Sequence, residues 1–163
     1  MTQPRCQSPR APKHERSGEA AASAFIIDDD VKLCEWATFH LDDAGHDVEY
    51  FNDAATGLNA VPDRTPDVVI LDIDLPDMSG LDALDRIRRF TPELPVVMLT
   101  GTADVPILVK AMNRGAFDYL TKPVAEERLF PTVRNAIQQH RLHARSYVQS
   151  DRRIGRDPMC SIE

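Results

Sequence analysis

Five short apolar runs, each followed by a segment of helical spacing, constrain this chain more than any other feature. The runs are residues 24–28 (AFIID), 47–51 (DVEYF), 67–72 (DVVILD), 95–99 (PVVML) and 117–120 (FDYL). After the first run, Val31, Cys34, Ala37, Leu41 and Ala44 recur every three or four residues and stop at Gly45, which predicts a helix over 31–44. Further helices are predicted over 53–61 with Asp53 as cap, 81–90, 104–114 ending at Gly115, and from 126 to 143 or beyond. Strands that are apolar on both sides, joined by helices, make a parallel sheet covered on both faces. The expected fold is therefore α/β and doubly wound, with five strands in the order 2-1-3-4-5 and helices on both faces.

Residues 1–23 lack this periodicity and are rich in Pro, Ser and charge, so a disordered tail is expected there. The folded domain is placed at 24–145 and a linker or C-terminal tail at 146–163. Cys6, Cys34 and Cys160 are odd in number and far apart, which suits neither a disulfide framework nor a zinc site. No apolar run approaches bilayer length, and the N-terminus has no signal-like segment. A cytoplasmic protein with no membrane contact is the expectation. Residues 24–123 hold 19 acidic and 8 basic side chains, net −11, while the flanks hold 7 and 11, net +4. An acidic core repels nucleic acid and suits a divalent cation.

In a parallel sheet the strand ends share one edge, and ligands bind outside that edge near the point where the strand order reverses. Strand 1 ends in Asp28-Asp29-Asp30, strand 3 in Asp72, strand 4 in Thr100-Gly101 and strand 5 in Thr121-Lys122-Pro123. Crowded carboxylates repel unless a cation joins them, and an all-oxygen set suits Mg²⁺. A carboxylate at Asp72 is then placed to attack phosphorus. Lys122 would add positive charge, and Thr100 a hydrogen bond, to the transferring group's oxygens. Taken alone, the triplet reads as a helix cap, with Asp29 or Asp30 capping the first helix. Alone, too, Thr100 reads as a loop hydroxyl, Lys122 as a solvated charge and Tyr119 as half-buried core. Gly80 and Pro76 read as loop-shaping, Arg88-Arg89 as a solvated helix face and Trp36 as packing. His40, His46, His140 and His143 show no metal-ligand pattern.

The strings FIIDDD, VVILDIDLPDMSGLD, PVVMLTG and FDYLTKP, in that order, resemble the receiver domains of two-component response regulators. The resemblance covers residues 24 to about 145 and implies a flavodoxin-like, CheY-like fold. It implies that Asp72 accepts a phosphoryl group from a histidine kinase or phosphotransfer protein. It implies an acidic pair at Asp28 and Asp29, with Mg²⁺ held by Asp29, Asp72, Asp28 and the backbone carbonyl of Asp74. It further implies that Thr100 turns inward on phosphorylation and Tyr119 follows, rearranging the face formed by the fourth helix, fifth strand and fifth helix. Dimerisation through that face is one option it carries. Pro131 complicates it, because a helix from residue 126 would either kink there or start later.

Two weaker patterns lie further on. Residues 128–156 hold seven Arg and one acid, Asp151, and read as a solvated linker helix rather than a basic patch. Val133, Ile137, His140, Ala144 and Tyr147 fall at roughly heptad spacing, a hint of a coiled-coil linker. The string IGRDP resembles the linker before the ATPase domain of nitrogen-regulation-type transcription activators, and that resemblance implies that the chain is the front of a longer regulator. A competing reading takes LDIDLPD for the DxD motif of haloacid-dehalogenase-type phosphatases. The acidic pair on an earlier strand counts against it, as does the lack of a later acidic metal motif. A receiver that serves only as a scaffold, without phosphorylation, is the other alternative. No helix-turn-helix module follows the domain, so direct nucleic-acid binding by this segment is not expected.

Overall fold

A computed structural model describes residues 21–101 and 104–154, with side chains to residue 148. Its elements, in chain order, are β1 (Ser23–Ile27), α1 (Val31–Asp43), β2 (Asp47–Phe51), α2 (Ala54–Arg64) and β3 (Val68–Asp72). They continue with α3 (Gly80–Phe90), β4 (Val96–Thr100), α4 (Val105–Asn113), β5 (Asp118–Thr121) and α5 (Glu126–Ile154). The strands are parallel and ordered β2-β1-β3-β4-β5, as the alternation predicts.

Because side chains alternate across a strand, each strand feeds two cores. Ala24, Ile26, Val68, Ile70, Val97 and Leu99 point to one face, against Cys34, Ala37 and Leu41 of α1 and Leu129, Val133 and Ile137 of α5. Phe25, Ile27, Val69, Leu71, Val96 and Met98 point to the other, against α2, α3 and α4. A fully buried Ile or Leu contributes about 1.5–3 kcal/mol, so β1, β3 and β4 form the rigid centre of the domain. Their carboxyl ends are held correspondingly firmly.

Local chemistry sets the boundaries. Asp30 and Asp53 cap α1 and α2 through their side-chain oxygens. Gly45 and Gly115 follow α1 and α4 at φ of +93° and +89°, a conformation that costs glycine little. Residues 1–20 of the expected tail, and the segment after Ile154 that holds most of IGRDP, lie outside the described residues. Ala22 is buried and Ser23 already belongs to β1, so order begins before the apolar run does.

Two expectations are revised, those for the end of the second helix and for Arg88, while the fifth helix runs on as expected. The second helix does not stop at Val61 but runs through Pro62 to Arg64. The fifth helix starts at Glu126, runs through Pro131, and continues well past residue 143 to Ile154. Pro131 and Glu127, whose carbonyl loses its helical donor, are both exposed, so water can serve in place of the missing N–H. Arg88 is not a solvated charge. Its guanidinium donates to the carbonyls of Gly115 (3.0 Å), Thr91 (3.4 Å), Pro92 (3.2 Å) and Leu94 (2.6 Å). It thereby ties the end of α3 to the segment before β4 and the turn before β5.

Candidate functional site

β1 and β3 are adjacent and in register, so the residues just past Ile27 and Leu71 stand side by side at the carboxyl edge. Asp28 and Asp72 are those residues. They are 0% and 2% exposed, burial that a carboxylate takes only against a cation or several donors. Asp29, the next residue, is exposed. Carboxylate oxygens of Asp28, Asp29 and Asp72 all lie within 4.8 Å of one another.

Asp28 is held from several sides. Its backbone carbonyl accepts from Asn52 Nδ2 (3.1 Å) and from the Cys34 thiol (3.3 Å). Its Oδ1 accepts the Asp30 N–H at 2.8 Å. Its Oδ2 is buried without a hydrogen-bond donor in good geometry, and faces the Lys122 ammonium at 2.8 Å. Asp72 Oδ2 lies 3.2 Å from the same ammonium, and its Oδ1 accepts the Asp74 N–H at 3.3 Å. Burial, followed by the charge of Asp28, pushes the Asp72 carboxyl up to about 6, against the pull of Lys122. Burial works against the Lys122 charge, but hydrogen bonding to Asp28 and the charges of Asp28 and Asp72 outweigh it, so its pKa is raised. Burial, helped by Asp28 and Asp30, pushes the Cys34 thiol up to about 12, which leaves it an inert neutral donor.

One ammonium thus faces a buried pair of carboxylates with a third at its rim. The donors are all oxygens, and two of the three residues, Asp28 and Asp72, are buried. Such a set fits a small hard divalent cation.

The other expected residues fall around this cluster. Thr100 ends β4, is 3% exposed, and its carbonyl accepts the Lys122 N–H at 2.8 Å. β4 and β5 place Thr100 opposite Thr121, the residue before Lys122. Tyr119 is half-buried in β5 and packs on the α2–α3–α4 side, away from the carboxylates. Asp74 follows Asp72 in the β3–α3 loop, where a bridge to Ser79 closes the loop on itself. Gly80 shapes that loop. A Cβ there would run into the Asp72 carbonyl oxygen and lie 2.6 Å from the Ile73 Cα.

Sequence reasoning gave no role to Asn52, Cys34 or Asp77. Asp77 sits in the same β3–α3 loop, and its two carboxylate oxygens accept the N–H groups of Ala54 (3.0 Å) and Ala55 (2.9 Å) at the start of α2. An acid in a Pro/Asp/Gly loop carries no local sign of such a partner; only the tertiary fold supplies it. Likewise Asn52, next to the cap of α2, reads as an ordinary turn residue.

Residues 24–134 match the family described as the response regulator receiver domain. The transcriptional regulatory protein FixJ of Bradyrhizobium diazoefficiens is 36% identical over 122 residues, which are 75% of this chain and 60% of FixJ. The C4-dicarboxylate transport transcriptional regulatory protein DctD of Rhizobium meliloti is 37% identical over 123 residues, 76% of this chain and 27% of DctD. The crystal structure of the receiver domain of NtrX from Brucella abortus superposes with a TM-score of 0.68 at 37% identity, covering 71% of this chain and 98% of that one. The chain thus spans about 60% of FixJ and 27% of DctD. With its 2-1-3-4-5 sheet, its acidic cluster at the carboxyl edge and this likeness, the chain belongs to the response regulator receiver domains of two-component systems.

Proposed function

We propose that Asp72 is the phosphoacceptor, taking its phosphoryl group from a phosphohistidine on a histidine kinase or phosphotransfer protein. An Asp72 oxygen forms the new P–O bond, the P–N bond breaks, and the imidazole leaves with a proton. Asp29 and Asp72 would hold Mg²⁺, with Asp28 as a further ligand, directly or through water, and the Asp74 carbonyl completing the set. When bound, Mg²⁺ neutralises charge on the transferring group.

The observation that carries this reading is the Lys122 ammonium set between two buried carboxylates, 2.8 Å from Asp28 and 3.2 Å from Asp72. Before phosphorylation it offsets their repulsion; afterwards the phosphoryl oxygens take it up. The site is a switch that catalyses its own phosphorylation and slow hydrolysis, not a metabolic enzyme. Thr100 responds to the new charge and Tyr119 follows, altering the α4–β5–α5 face. Val105, Val109 and Met112 form an exposed apolar stripe along α4, which supports that face as the output surface, for a homodimer or another partner.

Residues 24–145 would be the receiver and 146–163 a linker or C-terminal tail, with an output in the cytoplasm, on transcription, and no nucleic-acid binding by this segment itself. Among the described residues, no helix is long and apolar enough to cross a membrane. The test is incubation of the chain with a small-molecule phosphodonor and Mg²⁺, read by intact mass. One phosphate adduct is expected on the wild type and none on Asp72→Asn. An adduct that survives this change, or steady turnover of a phosphomonoester without one, sinks the proposal.

A further inference from the structure

The acidic cluster is built from two separate arms. One is the end of β1, which carries Asp28 and Asp29. The other is the end of β3 and its loop, which carries Asp72 and Asp74. The arms are hydrogen-bonded as strands only as far as Ile27 and Leu71, below the carboxylates. Beyond that level both are fastened to a third element, the turn from Asn52 to Ala55. Asn52 donates to the Asp28 carbonyl at 3.1 Å. Two and three residues on, the N–H groups of Ala54 and Ala55 are taken by the two oxygens of Asp77.

This fastening serves α2 as well. The first four N–H groups of a helix lack internal partners. Here Asp77 takes those of Ala54 and Ala55 and the Asp53 side chain takes Thr56 N–H at 2.7 Å, before the regular helical bonds begin with Gly57 N–H to the Asp53 carbonyl at 3.3 Å. Asp53 alone would make an ordinary cap. The additional carboxylate comes from 23 positions away in sequence, inside the loop that carries Asp74. The bonds to Ala54 and then Ala55 hold the Asp77 carboxyl below its usual range, the sign of an interaction with the charged form.

We propose that Asp77 is a positioning residue of the acidic site: by clamping the β3–α3 loop to the turn that also holds Asp28, it fixes the separation of the two arms and so sets their affinity for a divalent cation. The inference rests on the proposed metal site but concerns a residue that touches neither metal nor phosphoryl group. Lys122 bridges the two carboxylates themselves, and Ile73 N–H bonds to Leu99 of β4, but beyond Ile73 the Asp74–Ser79 bridge and the close seat of Gly80 hold the loop's shape without joining it to β1. Removing the clamp leaves Asp72 in place on its strand and lets the loop drift relative to Asp28.

The experiment compares the wild type, Asp77→Ala and Ala55→Pro as full chains, by calorimetric titration with Mg²⁺ and by thermal unfolding without it. Ala55→Pro deletes one clamp donor with no change of charge. It falls at the second residue of an exposed helix start, the place Pro106 occupies in α4. Expected is about a tenfold loss of Mg²⁺ affinity in Asp77→Ala, the scale of outer-shell substitutions. Ala55→Pro should lose roughly fivefold, the worth of one hydrogen bond. Lowered thermal stability with unchanged Mg²⁺ affinity would mean that Asp77 only caps α2, and overturns the proposal. So does weakened affinity in Asp77→Ala but not in Ala55→Pro, which assigns the effect to charge. Where Asp77→Ala does not fold, Ala55→Pro decides by itself. A wild type that binds no Mg²⁺ defeats the metal site instead, an outcome distinct from a bound wild type with equally tight variants.

Discussion

At the carboxyl edge of the sheet, Asp28 and Asp72 are buried beside each other, with one ammonium between them. At the amino edge another carboxylate, Asp67, stands just before β3. Its Oδ2 accepts the Ser23 N–H at 2.9 Å, and its Oδ1 lies 3.4 Å from His140 Nδ1 of α5. Arg141, beside His140, donates to the Ala21 carbonyl at 3.2 Å. Both ends of β3 carry an acid, yet Asp72 is buried beside a second carboxylate while Asp67 is half-buried and closes on the Ser23 backbone and α5. The difference separates a site from a fastening. Carboxylates that cost stability where they stand require a reason outside the fold, whereas a carboxylate that takes up a backbone N–H does not.

The largest effect should come from Asp72. Beyond losing the phosphate adduct altogether, Asp72→Asn should change how metal-free stability depends on pH. The Asp72 carboxyl is raised from 3.8 to about 6 in the folded chain. The folded state therefore holds that proton more tightly than the unfolded one. Its contribution is fully present below about pH 4 and is lost as pH rises through about 6, amounting to about 2–3 kcal/mol. Denaturant titrations of wild type and Asp72→Asn should coincide near pH 4 and diverge by that amount at pH 7, with the variant more stable. Mg²⁺ should close the gap by stabilising the wild type. Curves that stay parallel across this range would remove the basis for calling the carboxyl edge strained.

How far this contrast could be read in the chain depends on where each interaction originates. The strand order and the shared edge follow from periodicity, because a parallel sheet brings all strand ends to one side whatever the loops do. Asp28, Asp72, Thr100 and Lys122 were placed by that rule together with the likeness to receivers, and they do meet there or on adjoining strand ends. Arg88 was illegible for the opposite reason. Its four acceptors are carbonyls of Thr91, Pro92, Leu94 and Gly115, and no side-chain pattern marks a carbonyl as available. Asp77 is hidden in the same way, its partners being N–H groups of another helix. The passage of α2 through Pro62 and α5 through Pro131 is equally non-local. Val61, Val133 and Ile137 are buried on the sheet, and that packing outweighs one lost helical bond at an exposed position.

Arg88 tests whether rigidity between the edges matters to the site. Arg88→Ala should cost about 2 kcal/mol, since a charged donor to several carbonyls is lost, read as a shift of the urea midpoint. Arg88→Lys should recover only part of it, because a single ammonium cannot span acceptors on two segments. Phosphate acceptance at Asp72 should persist in both, for Arg88 braces α3, β4 and the α4–β5 turn without reaching the carboxylates.

Asp67 gives the smallest effect and the sharpest contrast. Asp67→Ala removes a hydrogen bond to Ser23 and the neighbour of His140, so a loss of about 1 kcal/mol is expected, with an unchanged denaturant slope. Mg²⁺ affinity and the phosphate adduct should be those of the wild type, in contrast to any substitution at Asp28 or Asp72. If Asp67→Ala instead weakened Mg²⁺ binding, the two edges would be coupled through β3. The buried carboxylates would then be set in part by how α5 is fastened at the far end of the sheet, and the linker beyond His140 would have a direct mechanical route to the phosphoacceptor.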